Sequence, residues 1–135
     1  MVRWAITPFS DSFSLDTGAK SRLKASRYLR AVCRIIEARY RENLTLEGLA
    51  SQVGKSKFHL SRAFQERYHT TPGEYLATVR LTHAARLLAD TDLPVREVGL
   101  SVGVANSAYF TALFKRRYGC PPREYRILSR SGKRT

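Results

Sequence analysis

Residues 57–65 read KFHLSRAFQ, a stretch whose side chains could bind another molecule by three different means. If Leu60, Ala63 and Phe64 face inward at helical spacing, then Lys57, Phe58, Ser61, Arg62 and Gln65 project from the opposite side. Arg62 offers a planar fork of donors suited to the paired acceptors on a guanine edge. Phe58 offers an apolar face for a thymine methyl group, and Ser61 can donate or accept. Solubility does not account for an outward Phe beside basic residues. Fifty positions later, residues 107–115 read SAYFTALFK, and the same geometry exposes Ser107, Ala108, Thr111, Ala112 and Lys115. Two of these cannot hydrogen-bond through the side chain. Were the partner a nucleic acid, this second stretch would supply mainly phosphate affinity and thymine-methyl contact, leaving discrimination to Arg62 and its neighbours.

Catalytic chemistry finds no comparable set. His59, His69 and His83 are scattered, with no Ser, Cys or paired carboxylate at a useful spacing, and no glycine-rich phosphate loop is present. Cys33 and Cys120 lack neighbours at metal-ligand spacing and read as idle thiols of a reducing, cytoplasmic protein. Neither an enzyme nor a metal or other cofactor is expected.

The charge points to a polyanionic partner. The 135 residues include 24 Lys+Arg against 11 Asp+Glu, a formal +13, and the 43% hydrophobic content is enough for a core. DNA, RNA and an acidic membrane would each serve. No apolar run is long enough to span a bilayer, and residues 1–18 lack the pattern of a signal peptide. Lys20, Arg27, Arg34 and Arg41 form a basic stripe beside the apolar positions Ala25, Leu29, Val32 and Ile36. That helix, roughly Ser21 to Glu42, lacks aromatic anchors for a membrane surface, and its stripe reads as a solvated face.

The elements that position the two stretches emerge from an internal repeat. Phe64, Tyr68, Pro72 and Tyr75 recur 50 positions later as Phe114, Tyr118, Pro122 and Tyr125. Upstream the shift is 49, matching Leu46, Leu49, Ala50, Val53 and Gly54 with Val95, Val98, Gly99, Val102 and Gly103. One residue is therefore inserted just after the glycine, as befits a turn. Each copy reads as helix, glycine turn, helix. Thr45 and Ser56 are the expected caps in the first, Asn106 in the second, where Pro94 suits a first helical position. Ala50 and Gly99 are small where two short helices must approach closely. A linker helix opens with the capping box Thr71-Pro72-Gly73-Glu74 and runs to Asp90. The expected fold is all-α, with two helix-turn-helix subdomains joined by a long linker helix. Its boundaries are a loose arm over 1–20, a binding domain over 21–126 and a frayed basic tail over 127–135. Within the domain lie a first helix-turn-helix over about 45–69, the linker over 72–90 and a second over 94–119.

The run from Leu44 to Arg126 resembles the DNA-binding domain of AraC/XylS-type transcription regulators. The segments LTLEGLASQVGKSKFHLSRAFQERYHTTPGEYL and RLTHAARLLADTDLPVREVGLSVGVANSAYFTALFKRRYGCPPREYR carry the likeness, and the closing FKRRYG…P…YR pattern is specific over many positions. The chain departs from the family's habit at Gly99, usually Ala, at Val104, usually Phe, and at Ala112, often Arg. The resemblance implies two recognition helices on successive major-groove segments of double-stranded DNA, activation of transcription and contact with RNA polymerase. Lys57, Phe58, Ser61, Arg62, Gln65, Ser107, Ala108, Thr111 and Ala112 are the expected base readers. Phosphates would fall to Lys55, His59, Gly73, Tyr109, Lys115, Arg116 and Arg123, with added help from Lys57 and Thr111. Two units in one chain suggest a monomer, working in the cytoplasm at the nucleoid. The chain has no counterpart of the larger ligand-binding or dimerising domain often fused to the family, which leaves a stand-alone regulator or an excised fragment with Met1 added. The alternative reading is a non-specific basic nucleic-acid-binding or architectural protein of ribosomal type; an exposed aromatic pair for stacking RNA bases is lacking.

Overall fold

The computed structural model describes residues 19–133, and every regular element among them is a helix. In order these are α1 (Ala19–Arg39), α2 (Leu46–Gln52), α3 (Lys57–Tyr68), α4 (Pro72–Asp90), α5 (Val95–Ser101), α6 (Ser107–Tyr118) and α7 (Pro122–Lys133). The chain divides into two compact units, one ending at Val79 and one beginning at Arg80, so α4 contributes to both. The arm expected over residues 1–20 lies outside the described residues, apart from Ala19 and Lys20, which already belong to α1.

In the N-terminal unit α1 buries Leu29, Val32, Cys33 and Ile36 along one stripe and packs against α3, and Tyr40 just after it is buried too. It ends at Arg39 rather than Glu42; in the turn that follows, the Glu42 N–H donates to the Arg39 carbonyl at 3.0 Å and the Glu42 carboxylate pairs with the Arg39 guanidinium at 2.8 Å. Thr45 caps α2 by accepting from the Gly48 N–H at 3.0 Å. Gly54 then takes φ +69, the left-handed conformation that lets the chain turn, and Ser56 caps α3 by accepting from the His59 N–H. Leu60 and Phe64 of α3 are fully buried. The capping box at the start of α4 is reciprocal, with the Glu74 N–H donating to Thr71 Oγ1 and the Thr71 N–H to Glu74 Oε1, both at 3.1 Å. Tyr75 brings its ring within 6.1 Å of Phe64 and donates its hydroxyl to Glu37 of α1. Burial, then that hydrogen bond, pushes the Tyr75 phenol well up, so it stays a neutral donor.

The C-terminal unit repeats the plan with altered parts. Pro94 sits one position before its expected place, as the residue preceding α5, and its missing side-chain cap leaves the helix start to its fixed backbone angle of φ −58. Gly103 turns at φ +96, and Asn106 caps α6 by accepting from the Tyr109 N–H at 2.8 Å. Ala105 is the extra residue of this turn; Val104 N–H bonds the Gly99 carbonyl as Lys55 N–H bonds that of Ala50, both at 2.9 Å. Phe114 is fully buried between Tyr118, at 4.5 Å, and Tyr125, at 5.3 Å. The repeated Phe, Tyr, Pro and Tyr therefore build the same aromatic cluster twice, each time locking the second helix of a pair to the helix that follows.

The basic tail expected to fray from residue 127 is instead helical to Lys133. Arg126 and Arg130 lie one turn apart on α7. Arg126 donates to the carbonyls of Leu88 and Leu93 at 2.9 and 2.6 Å. Arg130 donates to those of Ala89 and Thr91 and pairs with Asp92 at 3.1 Å. The carbonyls of Leu88 and Ala89 belong to the last turn of α4, which has no helical partners for them, and two cations also suit the negative end of that helix dipole.

Two substitutions test this packing. A methyl group on Gly99 would meet the Phe110 ring at 3.1 Å and the Val104 carbonyl at 3.3 Å, whereas the N-terminal unit carries Ala50 with the smaller Leu60 at the matching positions. Gly99→Ala should therefore cost about 1–2 kcal/mol in urea melts, and combining it with Phe110→Leu should cost about 1 kcal/mol less than the sum of the single changes. Additive losses would show that Phe110 does not limit residue 99. At the end of α3, His69 holds φ +60 where Gly119 ends α6 at φ +82. His69→Gly is expected to raise stability by about 1 kcal/mol, read as a higher melting temperature.

Candidate nucleic-acid interface

The exposed side of α3 is set by what the helix buries. With Leu60 and Phe64 inward, Phe58, His59, Arg62 and Gln65 are exposed, while Ser61 and Lys57 are half-buried. Phe58 is 76% exposed, far more than a side chain serving the core would be. Lys57 does not project freely as expected: its ammonium lies 3.0 Å from Glu47 Oε2 on α2 and 5.4 Å over the Phe58 ring. That hydrogen bond holds the Glu47 carboxyl below the usual carboxylate range. Behind this face α1 supports the entry to α3. Its Tyr28 ring receives the Lys55 ammonium at 4.8 Å and stands 6.0 Å from the His59 ring.

On α6 the matching side carries Ser107, Ala108, Tyr109, Ala112, Lys115 and Arg116, all exposed, with Thr111 half-buried. Tyr109 is 58% exposed and so presents both ring and hydroxyl. Gly73 and Arg123 are exposed in the first turns of α4 and α7. On α3 the exposed side thus carries Phe58, His59, Arg62 and Gln65; on α6 the short Ser107, Ala108 and Ala112 are joined by Tyr109, Lys115 and Arg116.

Two residues escaped the sequence reading. Glu47 was legible as a first-turn acid of α2, but its partner stands ten positions away across a turn, a separation no helical period links. Arg96, exposed near the start of α5, is the counterpart of Glu47 at the shift of 49, so the repeat itself pairs an acid with a base there. Among the described residues, no group of three or more His, Cys, Asp or Glu could hold a metal ion, and no helix is long and apolar enough to cross a membrane.

Known proteins share this arrangement. Residues 49–127 match the family model described as a helix-turn-helix domain. The chain is 31% identical over 109 residues to the bifunctional transcriptional activator/DNA repair enzyme AdaA of Bacillus subtilis, a match covering 81% of this chain and 52% of AdaA. A probable AraC family transcriptional regulator from Rhodopseudomonas palustris superposes with a TM-score of 0.71 at 31% identity, over 77% of this chain and 98% of that one. The chain belongs to the AraC family of helix-turn-helix transcription regulators. The AraC-type reading also fits the DNA-binding domain of the global transcriptional factor AdpA, solved in complex with a target DNA, at a TM-score of 0.74 and 27% identity, over 79% of this chain and 96% of that domain. In AraC-family terms, α2–α3 and α5–α6 are the two helix-turn-helix units, and the chain spans about half the length of AdaA.

The exposure of Phe58 lets folding and binding be separated by experiment. Phe58→Ala should leave the unfolding free energy within about 0.5 kcal/mol of the parent's, while weakening duplex binding about tenfold in fluorescence anisotropy. A loss of stability with unchanged binding would return Phe58 to the fold.

Proposed function

We propose that this chain regulates transcription by placing α3 and α6 in successive major-groove segments of duplex DNA, with α3 as the discriminating reader. The observation that carries this reading is the contrast between two equivalent helix faces. Arg62, Phe58, Gln65 and the half-buried Ser61 project from α3, whereas Ala108 and Ala112 replace Phe58 and Arg62 on α6. Arg62 would bond guanine O6 and N7 in pairs, and Phe58 would pack on a thymine methyl. Ser107, Ala108, Thr111 and Ala112 leave α6 with shape and methyl contact. Lys55, His59, Tyr109, Lys115, Arg116 and Arg123, with the backbone N–H groups near Gly73, take phosphates and set the register.

The chain acts by binding, without catalysis or a cofactor, and as a monomer, since one chain carries both reading helices. It works in the cytoplasm, at the nucleoid, as an activator in contact with RNA polymerase. Support for activation is the name of AdaA, a transcriptional activator. The formal +13 supports a large electrostatic share of the binding energy.

Selection from a random duplex library, repeated with Arg62→Ala, tests the reading. The expected result is a motif spanning about two helical turns that loses preference at one base pair in the variant, at a cost of about 1–3 kcal/mol. Salt-sensitive binding without an enriched motif would make the chain a non-specific binder. Strong preferences in both half-sites would overturn the division between α3 and α6.

A further inference from the structure

The two helix-turn-helix units differ in charge where the first helix of each would cross the DNA backbone. In the N-terminal unit this position holds Glu47, whose carboxylate takes the Lys57 ammonium at 3.0 Å. In the C-terminal unit the same register holds Arg96, exposed, and the position matching Lys57 holds Ser107. The Glu47 side chain is 68% exposed and that of Lys57 41%, so both can reach solvent and phosphate, and the pair is not needed to fill a core. A lysine at the first turn of a reading helix would ordinarily bind phosphate, which adds affinity for every sequence alike. Tied to Glu47, it contributes no net charge there.

We infer that Glu47 is a specificity-determining residue. By holding Lys57 off the phosphates it removes sequence-blind affinity from the unit that carries Arg62, while Arg96 at the same register supplies a phosphate anchor to the unit with the poorer reading face. The inference rests on the DNA-reading function proposed above and assigns the balance between specific and non-specific binding to one side chain. Glu47 acts through Lys57 and so positions rather than reads.

Fluorescence anisotropy across a salt series, on a selected operator duplex and on an unrelated duplex of equal length, measures both quantities. Each cation brought onto phosphate steepens the plot of log K against log salt by about 0.9. Glu47→Gln should steepen the slope by about that amount on both duplexes, and tighten binding to the unrelated duplex more than to the operator. Adding Lys57→Gln to that variant should return the slope to its parent value. Arg96→Gln should make the slope shallower by about 0.9. The inference is overturned if Glu47→Gln leaves slope and discrimination unchanged, if its gain survives the loss of Lys57, or if Arg96→Gln does not move the slope. Absence of any preference between the duplexes would instead sink the operator-reading function, while the slopes on the unrelated duplex would still decide what Glu47 and Arg96 do.

Discussion

Phe64 and Phe114 are fully buried, and the direction in which each of the 12-residue helices α3 and α6 faces depends on them. Helices of that length are marginal alone in water, so packing settles their rotation about their own axes. In each unit the Phe is pinned by a Tyr one turn later and by a Tyr in the first turn of the next helix. Successive residues on a helix are about 100° apart. A shift of one position in what is buried would therefore carry Arg62 and Phe58 away from the face they now expose.

The same plan is tuned differently in its two copies. Where Leu60 packs in the N-terminal unit the C-terminal unit has the larger Phe110, and residue 99 gives up its side chain to admit it. The longer second turn places a buried Val104 where the first has an exposed Lys55. Outward, Arg62 stands against Ala112 and Glu47 against Arg96. Repeats constrained to one fold have thus diverged both in how their cores are filled and in the groups they expose.

The outer helices anchor both copies. α1 supports the entry to α3 through Tyr28, Lys55 and His59, and completes the hydrogen bonding of Tyr75 through Glu37. α7 closes the C-terminal end of α4 with Arg126 and Arg130, tying down the loop that leads into α5. Arg130, expected in a frayed basic tail, thus satisfies backbone carbonyls, as Arg126 does one turn earlier.

Caps, glycine turns and the apolar period are local properties, with causes within a few residues of their effects. Thr45, Ser56, Thr71 with Glu74, and Asn106 therefore predicted the helix starts they make, Gly54 and Gly103 the turns, and the repeat the two helix-turn-helix units. The outward set on α3 followed from the same period, because burying Leu60 and Phe64 leaves the opposite side exposed. What needed the tertiary structure joins residues far apart in the chain. The helical run of α7 past residue 126 depends on carbonyls more than thirty positions upstream, and its own sequence, SRSGK, carries no strong helical preference. The hold of Glu47 on Lys57 depends on a turn bringing two helix starts together. Local sequence determined which helices form and which faces are apolar; tertiary packing decided which charged side chains remain available to a partner, because an ion pair depends on distance in space rather than on separation in sequence.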